Sequence, residues 1–282
     1  RRAVRRRTRR WDMRRLLTVA VTALGVAVLL YPNAAAWFSD RSHAQQINAY
    51  VPETQGLPEA ARAQLLAEAR AYNANLPGGP LRDPYTLESD GTSSAVGGGA
   101  QAYLDVLGGL PGGVMARVQI PAIDVDLPVF HGTDEETLTQ GVGHLFGSAL
   151  PVGGTGTHSV LTTHSGLVDA RLFTDLEKLV EGDTFSVTVL DEQVRYRVDR
   201  ITAVEPADTL ALRPEPGRDL MTLVTCTPIG VNSHRLLVRG ERIESAPTAE
   251  KNGVEVGSGT VDPGFPWWAL GVPAAAGAAI LL

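Results

Sequence analysis

The stretch Leu220–Ile243 reads "LMTLVTCTPIGVNSHRLLVRGERI". Two apolar, alternating runs flank a break at Pro228 and Gly230. Such a pattern predicts two strands joined by the connection 227–233, lying side by side and antiparallel. Cys226 ends the first strand and Arg235 stands at the start of the second, so the two come close at one rim of a sheet. A strand end aims a side chain from a rigid element while its tip meets solvent. Cys226 is the only cysteine in the 282 residues. At this point two readings of it stand open: a small buried hydrophobe, or a nucleophile.

The same texture extends outward on the N-terminal side. From Val114 onward, short alternating runs recur between Gly, Pro and Asp: "MARVQIPAIDVDLPVF", "HSVLTTH", "DTFSVTVL" and "VRYRVDRITAV". Their spacing predicts an all-β sandwich or barrel over 113–245. Pro121 and Pro128 are expected at strand ends or edges. The stretches "GVGHLFG" (141–147) and "SALPVGG" (148–154) read as turns, and "DARLFTDLEKLV" (169–180) as a short helix, from Leu172, Leu176 and Leu179. Farther out, "LPEAARAQLLAEARAYNAN" (57–75) predicts an amphipathic helix closed by Pro77-Gly78-Gly79-Pro80. A Gly- and Ser-rich loop follows it, within a region 39–112 that precedes the strands.

Charge is distributed unevenly. Residues 1–15 hold nine arginines and one aspartate, while the remaining 267 hold 16 basic and 30 acidic side chains. A basic head suits a nucleic-acid arm or the cytoplasmic flank of a membrane segment. The next run, Leu16–Phe38, carries no charge over 23 residues, enough as a helix for roughly 30 Å of hydrocarbon. An arm has no need of such a run, so the reading is a membrane anchor at 16–38 and no nucleic-acid partner. The arginine excess places residues 1–15 in the cytoplasm and the rest outside the cell. A cleaved signal peptide is the rival, with Ala34-Ala35-Ala36 as the site. A linker (246–264) leads to a second uncharged run at 265–282, with Trp267-Trp268 at its entry, which predicts a second membrane helix. The chain opens on Arg1 and stops without a closing basic cluster, so the expectation is truncation at both ends.

For chemistry, a thiol wants a proton carrier, and His164 in "VLTTHSG" ends another strand-like run just before Gly166. Arginine stays charged at any working pH and suits a developing oxyanion. Cys, His and Arg together suit acyl transfer. His131, His144, His158 and His234 read as structural or solvated. No H-E-x-x-H, carboxylate-rich cluster or G-x-S-x-G supports a metal, a cofactor or a serine hydrolase.

"TLVTCTPIGVNSHRLLVRGER" resembles the active-site stretch of the sortases, and "LTTHSG" their histidine segment. Residues 140–185 look like the matching block of the class C, pilus-building members. Asp83-Pro84-Tyr85 is similar to the lid those enzymes carry ahead of the barrel. The resemblance implies a closed sortase-type β-barrel with short helices, an N-terminal helical and lid region, and flanking transmembrane helices. It implies a membrane-bound, Gram-positive cysteine transpeptidase. By the same resemblance Cys226 would cleave an LPXTG-type sorting motif between Thr and Gly, His164 would move protons, and Arg235 would hold substrate or oxyanion. The partners implied are pilins or other surface proteins and an acceptor lysine amine. Ser165 departs from the family pattern, which often has arginine after the histidine. Three alternatives remain: a housekeeping sortase with a cell-wall precursor as acceptor, a thiol protease, and a non-catalytic surface scaffold.

Overall fold

The computed structural model describes residues 13–76, 81, 100–243 and 259–281. The lid residues Asp83, Pro84 and Tyr85 lie outside the described residues, as do most of the basic head and of the 246–264 linker.

The apolar run at 16–38 forms part of a much longer helix, α1 (Met13–Gly56). Its first half exposes Leu17, Val21, Leu24, Val28 and Leu29, and among the described residues it is the one helix long and apolar enough to cross a membrane. Its second half buries His43, Ala44, Ile47, Tyr50, Val51 and Thr54. That spacing of three and four is one helical face, and it lies on the barrel. The Tyr50 hydroxyl ties this face down, accepting from Leu190 N at 2.7 Å and donating to Met115 O at 3.3 Å. The amphipathic segment forms α2 (Glu59–Ala74), which buries Leu66 and Ala69. A short α3 (Ala100–Asp105) follows.

Eight strands close into a barrel: β1 (Ala116–Ile120), β2 (Val125–His131), β3 (Val142–His144), β4 (Thr157–Thr162), β5 (Thr184–Val189), β6 (Glu192–Val204), β7 (Asp219–Thr227) and β8 (His234–Ile243). Their order around the wall is β1-β2-β3-β4-β7-β8-β6-β5, with β1 against β5 completing the circle. The pairs β2–β3 and β4–β7 are parallel and the rest antiparallel. Helix α4 (Glu135–Gln140) carries the chain from β2 back to β3. The main core gathers Val118, Ile120, Phe185, Val187, Leu223 and Val238. Helix α5 (Gly271–Leu281) runs beside α1, where a Cβ on Gly271 would lie 2.7 Å from Leu30. At 11 residues, the described α5 is shorter than the roughly 20 residues of a membrane span.

Two local expectations are corrected. Residues 169–180 are turns with one 3-10 turn at Leu176–Lys178, not a helix. Leu172, Leu176 and Leu179 are buried, so their period marks core contact. Leu172 sits at φ 41°, and Phe173 N donates to His164 O at 3.1 Å, so tertiary bonds replace the helical ladder. The first half of "GVGHLFG" is β3, pairing with β2 and β4, rather than a turn. Gly143 fits there because a Cβ would lie 2.4 Å from Gly132 O. Pro121 caps the end of β1 as expected. Pro128 lies inside β2, where β3 begins to pair only at Val129, so its side of the strand is locally an edge.

Candidate active site

The hairpin read from the sequence is β7–β8, and in it Cys226 and Arg235 are direct register partners. Strand β4 runs parallel to β7 on the other side, with Thr162 opposite Val224. Two residues farther on, that register sets His164 level with Cys226. The pairing persists past the formal end of β4: Thr163 N donates to Val224 O at 3.3 Å, and Thr225 Oγ1 to Thr163 O at 2.8 Å. Register partners point to the same face of a sheet. His164, Cys226 and Arg235 therefore form a row across three neighbouring strand ends.

The row stands on the face away from the main core. Val224 and Leu237, one step inward on that face, pack with Leu145, Val160 and Leu212 in a second, smaller apolar cluster. Cys226 and Arg235 are each 9% exposed, and the His164 side chain 18%. Leu81 also packs on this cluster, and its carbonyl accepts from Thr209 Oγ1 at 3.0 Å. The chain entering Asp83 is thus fastened one step below the row.

Contacts made by Arg235, Ser165, Gly166 and Thr163 hold the row in place. Arg235 donates to Asn232 O at 3.1 Å and His234 O at 3.3 Å, which directs its guanidinium along the β7–β8 loop. Ser165, the departure from the family pattern, donates its hydroxyl to Cys226 O at 2.7 Å. Gly166 adopts φ 73°, and a Cβ there would lie 2.4 Å from Ile229 Cγ2. The loop after His164 therefore packs directly on the loop after Cys226. Thr163 donates to Gly141 O at 2.7 Å and lies 3.1 Å from Leu138 O, which fixes the end of α4 beside the histidine.

That attachment brings in Glu135, which sequence reasoning passed over. Asp134 caps α4, accepting from Thr137 N at 3.0 Å. Glu135 in the first turn places Oε1 3.3 Å from His164 Nε2. The run "DEETL" signals a helix start, but nothing in it marks which strand end the helix will meet.

The other histidines are occupied elsewhere. Burial pushes His43 down to about 4 and His144 down to about 3, and lowers His131 and His158. His158 Nε2 meets Thr222 Oγ1 at 2.7 Å inside the wall, and exposed His234 meets Ser233. Among the described histidines, His164 alone joins the cysteine row.

The comparisons with known proteins agree with this architecture. The family description "Sortase domain" matches residues 118–243, from β1 to the end of β8. Sortase C-1 from Actinomyces oris is 52% identical, with a TM-score of 0.61, over 65% of this chain and 99% of that one. The pilus-related sortase C of Group B Streptococcus is 38% identical, with a TM-score of 0.61, over 71% and 96%. Sortase A of Bacillus anthracis is 28% identical over 130 residues, 46% of this chain and 60% of that protein. The chain spans about half to three fifths of the length of the curated relatives it matches. The chain belongs to the sortase family, whose members are cysteine transpeptidases. Its structural neighbours include sortases of class C.

Proposed function

We propose that this protein is a membrane-anchored transpeptidase that joins pilin subunits. The carrying observation is the row of His164, Cys226 and Arg235 on adjacent strand ends, in a chain close to pilus-related relatives. The Cys226 sulfur attacks the threonine carbonyl of an LPXTG-type motif. Arg235, one register step away, faces the developing oxyanion. His164 gives its proton to the leaving glycine amine as the C–N bond breaks, which leaves a thioester on Cys226. A lysine amine of the next pilin then attacks the thioester. His164 takes the amine proton, an amide forms, and the thiolate is restored.

Asp83, Pro84 and Tyr85 serve as a lid over this row. The support is Leu81, docked two residues before Asp83 on the same cluster as Val224 and Leu237. Asp83→Ala or Tyr85→Ala should speed modification of Cys226 by a thiol reagent, and unchanged rates would remove the lid. The anchor is α1, with residues 1–15 in the cytoplasm and the barrel outside. The arginine excess before Leu16 supports this orientation. The 265–282 run forms a second span beside it.

The test is mass spectrometry of Cys226 after incubation with an LPXTG peptide, then with a pilin offering a lysine. A peptide adduct lost in Cys226→Ala, followed by covalent pilin ladders, supports the reading. Products formed only with peptidoglycan-type amines would make it a housekeeping sortase. Hydrolysis unaffected by any amine would make it a thiol protease. Function unchanged in Cys226→Ala would make it a scaffold.

A further inference from the structure

The barrel has two ends, and α1 distinguishes them. Strands β4 and β7 finish at one end, which carries the loops 163–183 and 228–233, the turn 121–124, and the cysteine row. The β5–β6 turn at Leu190–Asp191 marks the other end. Tyr50 bonds Leu190 N, and Arg62 pairs with Asp191 at 2.9 Å, so the far part of α1 and the start of α2 meet that other end. Nearer the apolar run, the contacts switch ends. Asp40 lies beside Arg171 and Asp124, and its carboxyl is raised by burial against the pull of Arg171. Buried His43 lies near the backbone of Gln140, next to Gly141 that Thr163 holds.

The apolar run stops at Phe38, and α1 continues without a break. At a rise of 1.5 Å per residue, His43 stands about 8 Å along the axis beyond Phe38, and Tyr50 about 18 Å. Trp37, Phe38 and Trp268 gather at the level where the run ends, their ring centroids 5.1 to 6.3 Å apart. Trp37 also donates to Gly264 O at 3.0 Å, which brings the C-terminal segment down at the same height. Aromatic side chains of this kind mark the membrane–water interface. The end of the barrel with the cysteine row therefore stands one to two helical turns above that interface.

Exposure points the same way. Seven large apolar side chains between residues 100 and 243 are exposed, and five of them occupy loops at this end: Leu167, Val168, Val180, Ile229 and Val231. Val168 is 63% exposed and Val231 69%. Gly166 against Ile229 packs the first loop onto the second, so four of the five form one rim around His164 and Cys226. In water an apolar rim is costly; in the headgroup region it is favoured.

We propose that the Cys226 end of the barrel faces the bilayer that α1 crosses, and that the 163–183 loop, led by Leu167 and Val168, rests in its headgroup region. This rests on the anchor reading above. The enzyme then works on substrate presented at the membrane surface, with the cysteine row turned toward the bilayer rather than toward the medium.

The test uses the full chain with Cys226→Ala, so that one introduced thiol carries an environment-sensitive fluorophore. Val168→Cys reports the proposed membrane end and Asp191→Cys the other. Both are reconstituted into phosphatidylcholine–phosphatidylglycerol vesicles containing lipids with a shallow nitroxide. The expected result is emission at 168 that is blue-shifted and quenched several-fold more than at 191. Equal quenching in chains that float with the vesicles overturns the facing while leaving the anchor intact. Chains that do not float overturn both. A blue shift at 168 that needs added sorting peptide and no lipid assigns the patch to substrate, and also overturns the proposal.

Discussion

Two regions of the wall collect histidines and use them in opposite ways. Behind α3, His144 is fully enclosed: Nε2 faces Ala149 O at 2.8 Å and so carries the proton, leaving Nδ1 to accept from the Tyr103 hydroxyl at 2.9 Å. That hydroxyl also meets His144 O and Gly132 N, which closes the network. At the rim, His164 has the same ring, but it stands past the end of β4 with a carboxylate beside it. Burial in the first environment disfavours a charge on His144. Both histidines stand at or just past a strand end, and what separates them is enclosure: His144 is fully buried among its partners, while the His164 side chain is 18% exposed beside Glu135.

The contrast can be broken most forcefully at the enclosed site. His144→Ala should destabilise the fold by about 4 kcal/mol, since it leaves a cavity and unpaired buried groups. Urea unfolding in detergent would measure this, and the folded fraction should keep its activity per molecule. The same site sets a pH dependence. His144 is neutral when folded and has its ordinary pKa of about 6.5 when unfolded, so below pH 6.5 the unfolded chain binds the extra proton. Stability should be full above pH 6.5 and fall by about 1.4 kcal/mol per pH unit as pH drops toward 3. A slope as steep in His144→Ala would break the assignment.

At the rim the effects should fall on rate instead. Arg235→Ala should lower kcat/KM by about 10²- to 10³-fold with little change in unfolding midpoint, and lysine should not restore it. Ser165→Ala removes the bond to the Cys226 carbonyl and should slow thioester formation by about 5-fold, as loss of one ordinary hydrogen bond does. Glu135 is 78% exposed, so solvent screens it. Glu135→Gln should change the rate at neutral pH by less than about 3-fold, as measured by thioester formation with a sorting peptide. A larger loss would show that the carboxylate does more than lie beside the imidazole.

The β7–β8 hairpin was legible because its two strands adjoin in sequence, so alternation and one break define the pair. Cys226 and Arg235 came with it. The run ending at His164 was legible as a strand, but its parallel pairing with β7 spans 62 residues and leaves no periodic trace. The resemblance to sortases, not the pattern, supplied that link. The 169–180 region misled because core contact repeats at helical spacing even where the backbone turns. Glu135 and the Tyr103–His144 network stayed hidden for a related reason. Each depends on which element α3 or α4 comes to lie against.

The unbroken course of α1 has one more consequence. On the anchor reading proposed above, a helix shared between bilayer and barrel transmits azimuth as well as height. One residue inserted between Phe38 and His43 would turn the barrel by about 100° and lift it by about 1.5 Å. On that reading the bearing of the cysteine row around α1 is written in the count of residues between the end of the apolar run at Phe38 and the first side chain that touches the barrel. Lengthening that segment by a whole number of turns would raise the enzyme without turning it, which makes stand-off and bearing separately adjustable.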